Sequence, residues 1–247
     1  MVKKKVLSVS VMFMCVALIF VFNATAGDQT PDDVLQKLRD GNSRFVSGDS
    51  KYPNSSQARR TETAVNGQHP YATVIACSDS RVPVEMIFDA GIGDVFVIRV
   101  AGNVADVDEI GSIEYGVDHL ETPVLVVLGH THCGAVTAVA QNAPVHGSIP
   151  RLVDNIQPAV ERVKKEHPEM DEAAIIAEAV KQNVWQTIHD LLHNSVAARE
   201  RVHNGSLKIV GAIYDIASGR VDWMGPFTDQ EWIMTGLNET AGRKEHH

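Results

Sequence analysis

The sequence predicts an α/β fold with a mostly parallel central β-sheet flanked by helices. Three observations carry that expectation. Short apolar runs alternate along the chain with stretches of helical periodicity, the pattern of a parallel sheet covered on both faces. The runs themselves are continuously apolar, as strands buried on two sides require. The part of the chain that remains after the amino-terminal segment described below has 221 residues, a size suited to one α/β domain with a sizeable core.

The chain opens on Lys3, Lys4 and Lys5, followed by an apolar run from Val6 to Phe22 and then "NATAG". A basic, an apolar and an A-x-A segment in that order read as a secretory signal peptide over residues 1–26, with cleavage after Ala24-Thr25-Ala26. The competing reading is a retained membrane anchor, which the small-residue site disfavours. Cys15 lies inside the apolar run and not beside a cleavage site, which argues against a lipoprotein. The mature chain is therefore expected in the periplasm or secreted, with no stable membrane anchor. Its formal charge moves from −9 to −12, because the excised part carries three lysines and no acid. That sign argues against a nucleic-acid or anionic-membrane partner.

Residues 27–247 then form a single domain, with a helical arm at about 31–66 and a core at about 70–225. Pro31 opens a helical stripe of Val34, Leu35, Leu38, Phe45 and Val46. Gly48 to Gln57, with its glycine, proline and serines, reads as an irregular crossing. "YATVIA" (71–76), "DVFVIRV" (94–100), "PVLVVLG" (123–129) and "SLKIVGAIY" (206–214) read as buried strands. Helices are expected over 108–120, from Gly134 onward and over 171–193, and "GRVDWMG" (219–225) reads as an antiparallel edge strand. The terminal "GRKEHH" reads as a frayed end.

Two stretches stand out on that scaffold. "ACSDSR" (76–81) directly follows the first strand, and "GHTHCG" (129–134) follows the third. In a parallel sheet all carboxyl ends lie along one edge, and ligands bind in the crevice outside it. Cys77 and His130 therefore share an edge, and Cys133 opens the next helix, whose positive dipole end favours a thiolate. Two thiolates and an imidazole make a Cys2His zinc set that leaves the fourth tetrahedral position open, as catalytic zinc requires. A disulfide between Cys77 and Cys133 is the ordinary alternative for two cysteines in an exported chain. Asp79 is close enough to approach the metal, and Arg81 can hold that carboxylate in a charge-assisted pair. Zinc lowers the pKa of bound water to about 7, so the reading is zinc-bound hydroxide attacking a small electrophile. Asp79 then orients the nucleophile, or closes the site as a fourth ligand when Arg81 releases it. The bland reading of Asp79 and Arg81 is a surface ion pair.

"CSDSR" with "HTHC" about fifty residues on resembles the β-class carbonic anhydrases, and the resemblance runs from roughly Pro31 to Trp223. It implies zinc on Cys77, His130 and Cys133, with Asp79 and Arg81 as catalytic dyad. The implied reaction is the reversible hydration of carbon dioxide to bicarbonate and a proton. Matching positions within the plant-like, open-site branch implies a substrate-binding role for Gln68 and a carbon dioxide pocket walled by Phe96 and Tyr115, contributed partly by a neighbouring subunit. The same match implies a bicarbonate-binding amide at Gly134 and a proton shuttle at His119. It also implies a homodimer or homotetramer with active sites at the subunit interface. The chain departs from the plant-like pattern at "RVAGNV" (99–104) and in carrying an export signal. Two other functions share these motifs. Relatives with the same zinc set hydrolyse carbonyl sulfide or carbon disulfide, and a non-catalytic periplasmic zinc-binding protein needs the three ligands but not Asp79 and Arg81.

Overall fold

The computed structural model describes residues 29–225. The segment read as an export signal and the terminal "GRKEHH" lie outside them. The expected strands are present as β1 (Ala72–Ala76), β2 (Val95–Arg99), β3 (Val124–His130), β4 (Lys208–Tyr214) and β5 (Val221–Gly225). Among the described residues they form one sheet in the order β2-β1-β3-β4-β5. The first four are parallel, and β5 is an antiparallel edge strand, as the sequence predicts.

The continuous apolar runs are explained by burial on both faces. All positions of β1 and β3 are buried. On one face Ile75, Ile98, Leu125, Val127 and Ile209 pack with apolar residues of the long helices. On the other, Val74, Ala76, Val126, Leu128 and Val210 meet Val34, Leu35 and Leu38 of the first helix. Each such leucine, isoleucine or valine contributes about 1.5–3 kcal/mol by leaving water.

Helix α1 (Pro31–Ser47) starts where Pro31 predicts, and a capping box fixes its start: the Thr30 hydroxyl accepts from the Asp33 amide while Asp33 accepts from the Thr30 amide. After an irregular crossing the chain forms α2 (Gln57–Asn66) and, past β1, the single turn α3 (Val84–Ile87). The helix expected at 108–120 divides. It runs as α4 (Val107–Glu114) and widens into a π-turn at Tyr115–His119, where Leu120 donates back to the Tyr115 carbonyl. Then come α5 (Gly134–Ala140), α6 (Ile149–Asp154), α7 (Gln157–Glu166), α8 (Glu172–Asn194) and α9 (Val196–His203). Helices α6, α7 and α9 are not singled out by the sequence; α6 and α9 show few periodic apolar positions, whereas α7 buries Ala159, Val160 and Val163 along one stripe. Prolines near the first turns of α6 and α7 now explain where those two begin.

Helix α8 lies close against β3 and β4, and glycine permits the approach. A Cβ on Gly129 would fall 2.7 Å from Val184 Cγ2 and 2.9 Å from Ile213 Cδ1. Position 129 therefore sets the distance between α8 and the residue that follows it, His130.

The arm is tied to the core by Asp89, which is buried and stands at φ 44. Its carboxylate accepts from Arg44 Nε at 2.6 Å and from the amides of Lys51 and Tyr52 at 3.0 and 2.9 Å. Burial on its own would raise the Asp89 pKa. The Arg44 and backbone hydrogen bonds outweigh it and hold the carboxyl below its ordinary range. Asp89→Ala is expected to destabilise the fold by about 3–5 kcal/mol, because it leaves a cation and two amides without their acceptor. A depressed folded pKa gives stability that is fully present above the unfolded value of about 3.9 and is lost as pH falls through the folded one. Urea unfolding should therefore show the gap between wild type and Asp89→Asn narrowing below about pH 4, and a gap unchanged at low pH would contradict the assignment.

Candidate metal centre

The carboxyl ends of β1 and β3 are neighbours, because β1 pairs with β3 from Thr73↔Leu125 to Ala76↔Leu128. Cys77 leaves β1 at that edge, His130 is the last residue of β3, and Cys133 caps α5. Among the described residues, these three alone bring metal-capable atoms of at least three side chains together, all within 4.8 Å of one another, and all three are buried. Both cysteines are free thiols. Three donors gathered at one point from two strand ends and a helix start are more than a disulfide needs, and His130 would have no part in one.

The local hydrogen bonds prepare the set for a cation. His130 Nδ1 lies 2.9 Å from the Thr131 carbonyl, which fixes the proton there and leaves the Nε2 lone pair free. Nε2 is buried and has no hydrogen-bond partner among the described residues. Between the two sulfurs, the bond from Cys133 pulls the Cys77 thiol below its ordinary range, with the Gly102 amide adding to it and burial opposing it. The same bond, with burial, pushes Cys133 up, while amides of the first turn of α5 oppose the rise. An orphaned imidazole nitrogen beside two free, buried cysteines is a donor set that suits zinc, which would displace their protons on binding.

Arg81 holds Asp79 in a bidentate pair, with Nε to Oδ1 at 2.9 Å and Nη2 to Oδ2 at 2.7 Å, and the Arg81 amide adds a third bond to Oδ1 at 2.9 Å. These bonds keep the Asp79 carboxyl well below the usual carboxylate range. The arginine in turn reaches the His132 carbonyl at 3.3 Å. His132 itself is exposed at φ 56, so it turns the chain between two ligands and is not one of them. Asp79 Oδ2 stands 4.0 Å from His130 Nε2, directly beside the donor set. The pair is more than a surface contact, since the Asp79 side chain is 18 % exposed against 52 % for Arg81.

Two contributors escaped the sequence reading. Arg99, at the end of β2, donates from Nε to the Cys77 carbonyl at 3.1 Å and from Nη2 to the Asp79 carbonyl at 2.6 Å, so it shapes the turn that carries both residues. A lone cation at the carboxyl end of an apolar strand was the available signal. The other is the "RVAGNV" stretch, where the sequence departs from the plant-like pattern. It forms a 3-10 turn at Ala101–Asn103, whose Gly102 amide donates to Cys77 Sγ at 3.2 Å.

The remaining site residues fall into two groups. Gly134 opens α5 immediately after Cys133 and is exposed. Phe96, Tyr115 and His119 form an aromatic stack, with centroids 5.7 Å apart for the first pair and 4.7 Å for the second. Phe96 stands in register with Thr73, four residues short of Cys77 and roughly 13 Å back along the strand. Gln68 precedes the amino end of β1, on the opposite edge of the sheet from Cys77. Within one chain, then, Gln68 and the aromatic stack are not joined to the donor set.

The comparisons with known proteins agree with this geometry. The family model described as carbonic anhydrase matches residues 72–221. Carbonic anhydrase 2 of Mycobacterium tuberculosis is 41 % identical over 195 residues, covering 77 % of this chain and 91 % of that protein. Among solved structures, the β-carbonic anhydrase CafA of Aspergillus fumigatus superposes with a TM-score of 0.65 at 27 % identity, covering 79 % of this chain and 94 % of that one. A tetrameric β-carbonic anhydrase of Sordaria macrospora gives 0.60 at 28 % identity, covering 68 % of this chain and 87 % of that one. With Cys77, His130 and Cys133 converging at the carboxyl edge of a parallel sheet and a family match over residues 72–221, the protein belongs to the carbonic anhydrase family, in its β class.

Proposed function

We propose that the chain catalyses the reversible hydration of carbon dioxide to bicarbonate and a proton, with zinc held by Cys77, His130 and Cys133. The observation that carries the reading is the orphaned His130 Nε2 gathered with two free cysteines, the three ligand atoms all within 4.8 Å of one another. Zinc, when bound, supplies the Lewis acidity that makes water a nucleophile near neutral pH.

The chain's own residues do the rest. Asp79 is an acceptor beside the donor set, and Arg81 fixes which way its two oxygens point. A carboxylate held this far below its ordinary range stays ionised throughout neutral pH, so it accepts and orients a hydrogen bond and is a poor store for a proton. The proton must therefore leave by another group or by solvent. His119 is the group the sequence offers, and Gln68, Phe96 and Tyr115 are the pocket it offers. Because these four are apart from the donor set of their own chain, their part requires a second copy, and we propose that the active form is a dimer or a tetramer. Tyr115, 45 % exposed in one chain, would then be covered. Gly134, at the first turn of α5, is the proposed backbone donor to bicarbonate. Export to the periplasm or beyond is proposed on the amino-terminal pattern alone.

Zinc-loaded mature chain should hydrate carbon dioxide in a stopped-flow pH-indicator assay and release little sulfide from carbonyl sulfide or carbon disulfide. Sulfide release with negligible carbon dioxide hydration would assign the chain to the sulfide-releasing reaction. Zinc uptake without either turnover would make it a binding protein.

A further inference from the structure

The turn at Ala101–Asn103 places a backbone donor on a metal-ligating sulfur, yet it is not a turn the local backbone favours. Gly102 stands at φ 74 and Asn103 at φ 48, two successive residues in the left-handed region, and both are buried. Glycine suits 102 because of its φ of 74, and a Cβ there would come 2.5 Å from Ile156 Cδ1, so the end of that side chain would have to move. A buried left-handed pair persists when the surroundings over-determine it.

Helix α8 supplies that constraint. Asn183 Nδ2 donates to the Gly102 carbonyl at 2.7 Å. The Thr187 hydroxyl lies 3.0 Å from the Asn103 carbonyl, with the Asn183 carbonyl as its other acceptor at 2.9 Å. The two residues are one helical turn apart, 1 % and 2 % exposed, on a stretch otherwise filled by Val180, Val184, Ile188 and Leu191. Polar side chains in such a place cost stability unless they are bonded: Asn183 gives its bond to the turn, and Thr187 shares its one hydroxyl hydrogen between the turn and the Asn183 carbonyl.

We propose that Asn183 and Thr187 are positioning residues for the metal site: from α8 they hold the Gly102–Asn103 turn so that the Gly102 amide points at Cys77 Sγ. The inference rests on the zinc reading of Cys77, His130 and Cys133. A hydrogen bond to a thiolate withdraws electron density from the sulfur and fixes its direction, so losing it lowers the energy of charge transfer from Cys77 and costs metal affinity through lost orientation. A purely structural role would lower stability and leave those properties alone.

Cobalt(II) substituted for zinc gives the spectroscopic readout, and competition with a chromogenic chelator gives zinc affinity. In Thr187→Val and Asn183→Leu the sulfur-to-cobalt charge-transfer band is expected to move to longer wavelength, and zinc affinity to fall by about ten- to a hundredfold. Thr187→Ser should restore both, and Ile188→Val, which disturbs the same helix without touching the turn, should lower the melting temperature and leave the band in place. If Asn183→Leu does not fold, Thr187→Val decides alone. An unmoved band and unchanged affinity in the folded variants would overturn the proposal, as would an equal shift in Ile188→Val. Wild-type chain that takes up neither metal would instead overturn the zinc reading and this inference with it.

Discussion

Cys133→Ala will lose its metal and its activity together, while the fold survives. The mutation removes one of three donors whose ligand atoms lie within 4.8 Å of one another, and the two that remain, Cys77 and His130, cannot complete a tetrahedral site. Without zinc nothing would lower the pKa of water toward about 7, so carbon dioxide hydration should fall by at least about three orders of magnitude. Zinc measured after dialysis should drop from near stoichiometric to background. Cys133 is a small buried side chain at the start of a helix, so circular dichroism should show the secondary structure intact. Stoichiometric zinc in this variant would mean that the ion sits elsewhere.

Asp79→Ala will keep its zinc and lose most of its turnover. The carboxylate is not one of the three gathered donors, but it stands 4.0 Å from His130 Nε2, fixed by three bonds from Arg81. Misplacing the attacking water by about an ångström costs on the order of a hundredfold. The expected result is a fall of that order in kcat/KM with unchanged metal content. Arg81→Lys keeps the charge but loses the planar fork, so it should fall between the two. Full activity in Asp79→Ala would reduce the pair to an ion contact beside the metal.

Much of this architecture was legible in the sequence because burial on both faces leaves a mark that needs no partner to read. The strands at 71–76 and 123–129 announced themselves as unbroken apolar runs, and their carboxyl ends placed Cys77 and His130 at one edge. The start of α1 was legible from Pro31. The helices α6 and α9 were not, since each is too short to show a repeating apolar stripe, and α7 escaped the reading although Ala159, Val160 and Val163 repeat at helical spacing. The π-turn at Tyr115–His119 was hidden for a different reason: the apolar pattern stays helical while the hydrogen bond spans five residues in place of four.

The same division runs through the site. Residue type and strand position named the three donors, Asp79 and Arg81, because that chemistry follows from side chains a few residues apart on a predictable edge. Which groups hold them could not be read, because Arg99 is 22 residues from Cys77, the carbonyl it bonds, and Asn183 is 81 residues from Gly102. Contacts over such separations depend on how α8 seats on Gly129 and on a left-handed turn at 102–103, and neither leaves a periodic trace. A linear pattern can therefore specify the donors at the sheet edge. Only the folded chain fixes the direction of the amide aimed at the sulfur and the separation of Gln68 from the donors.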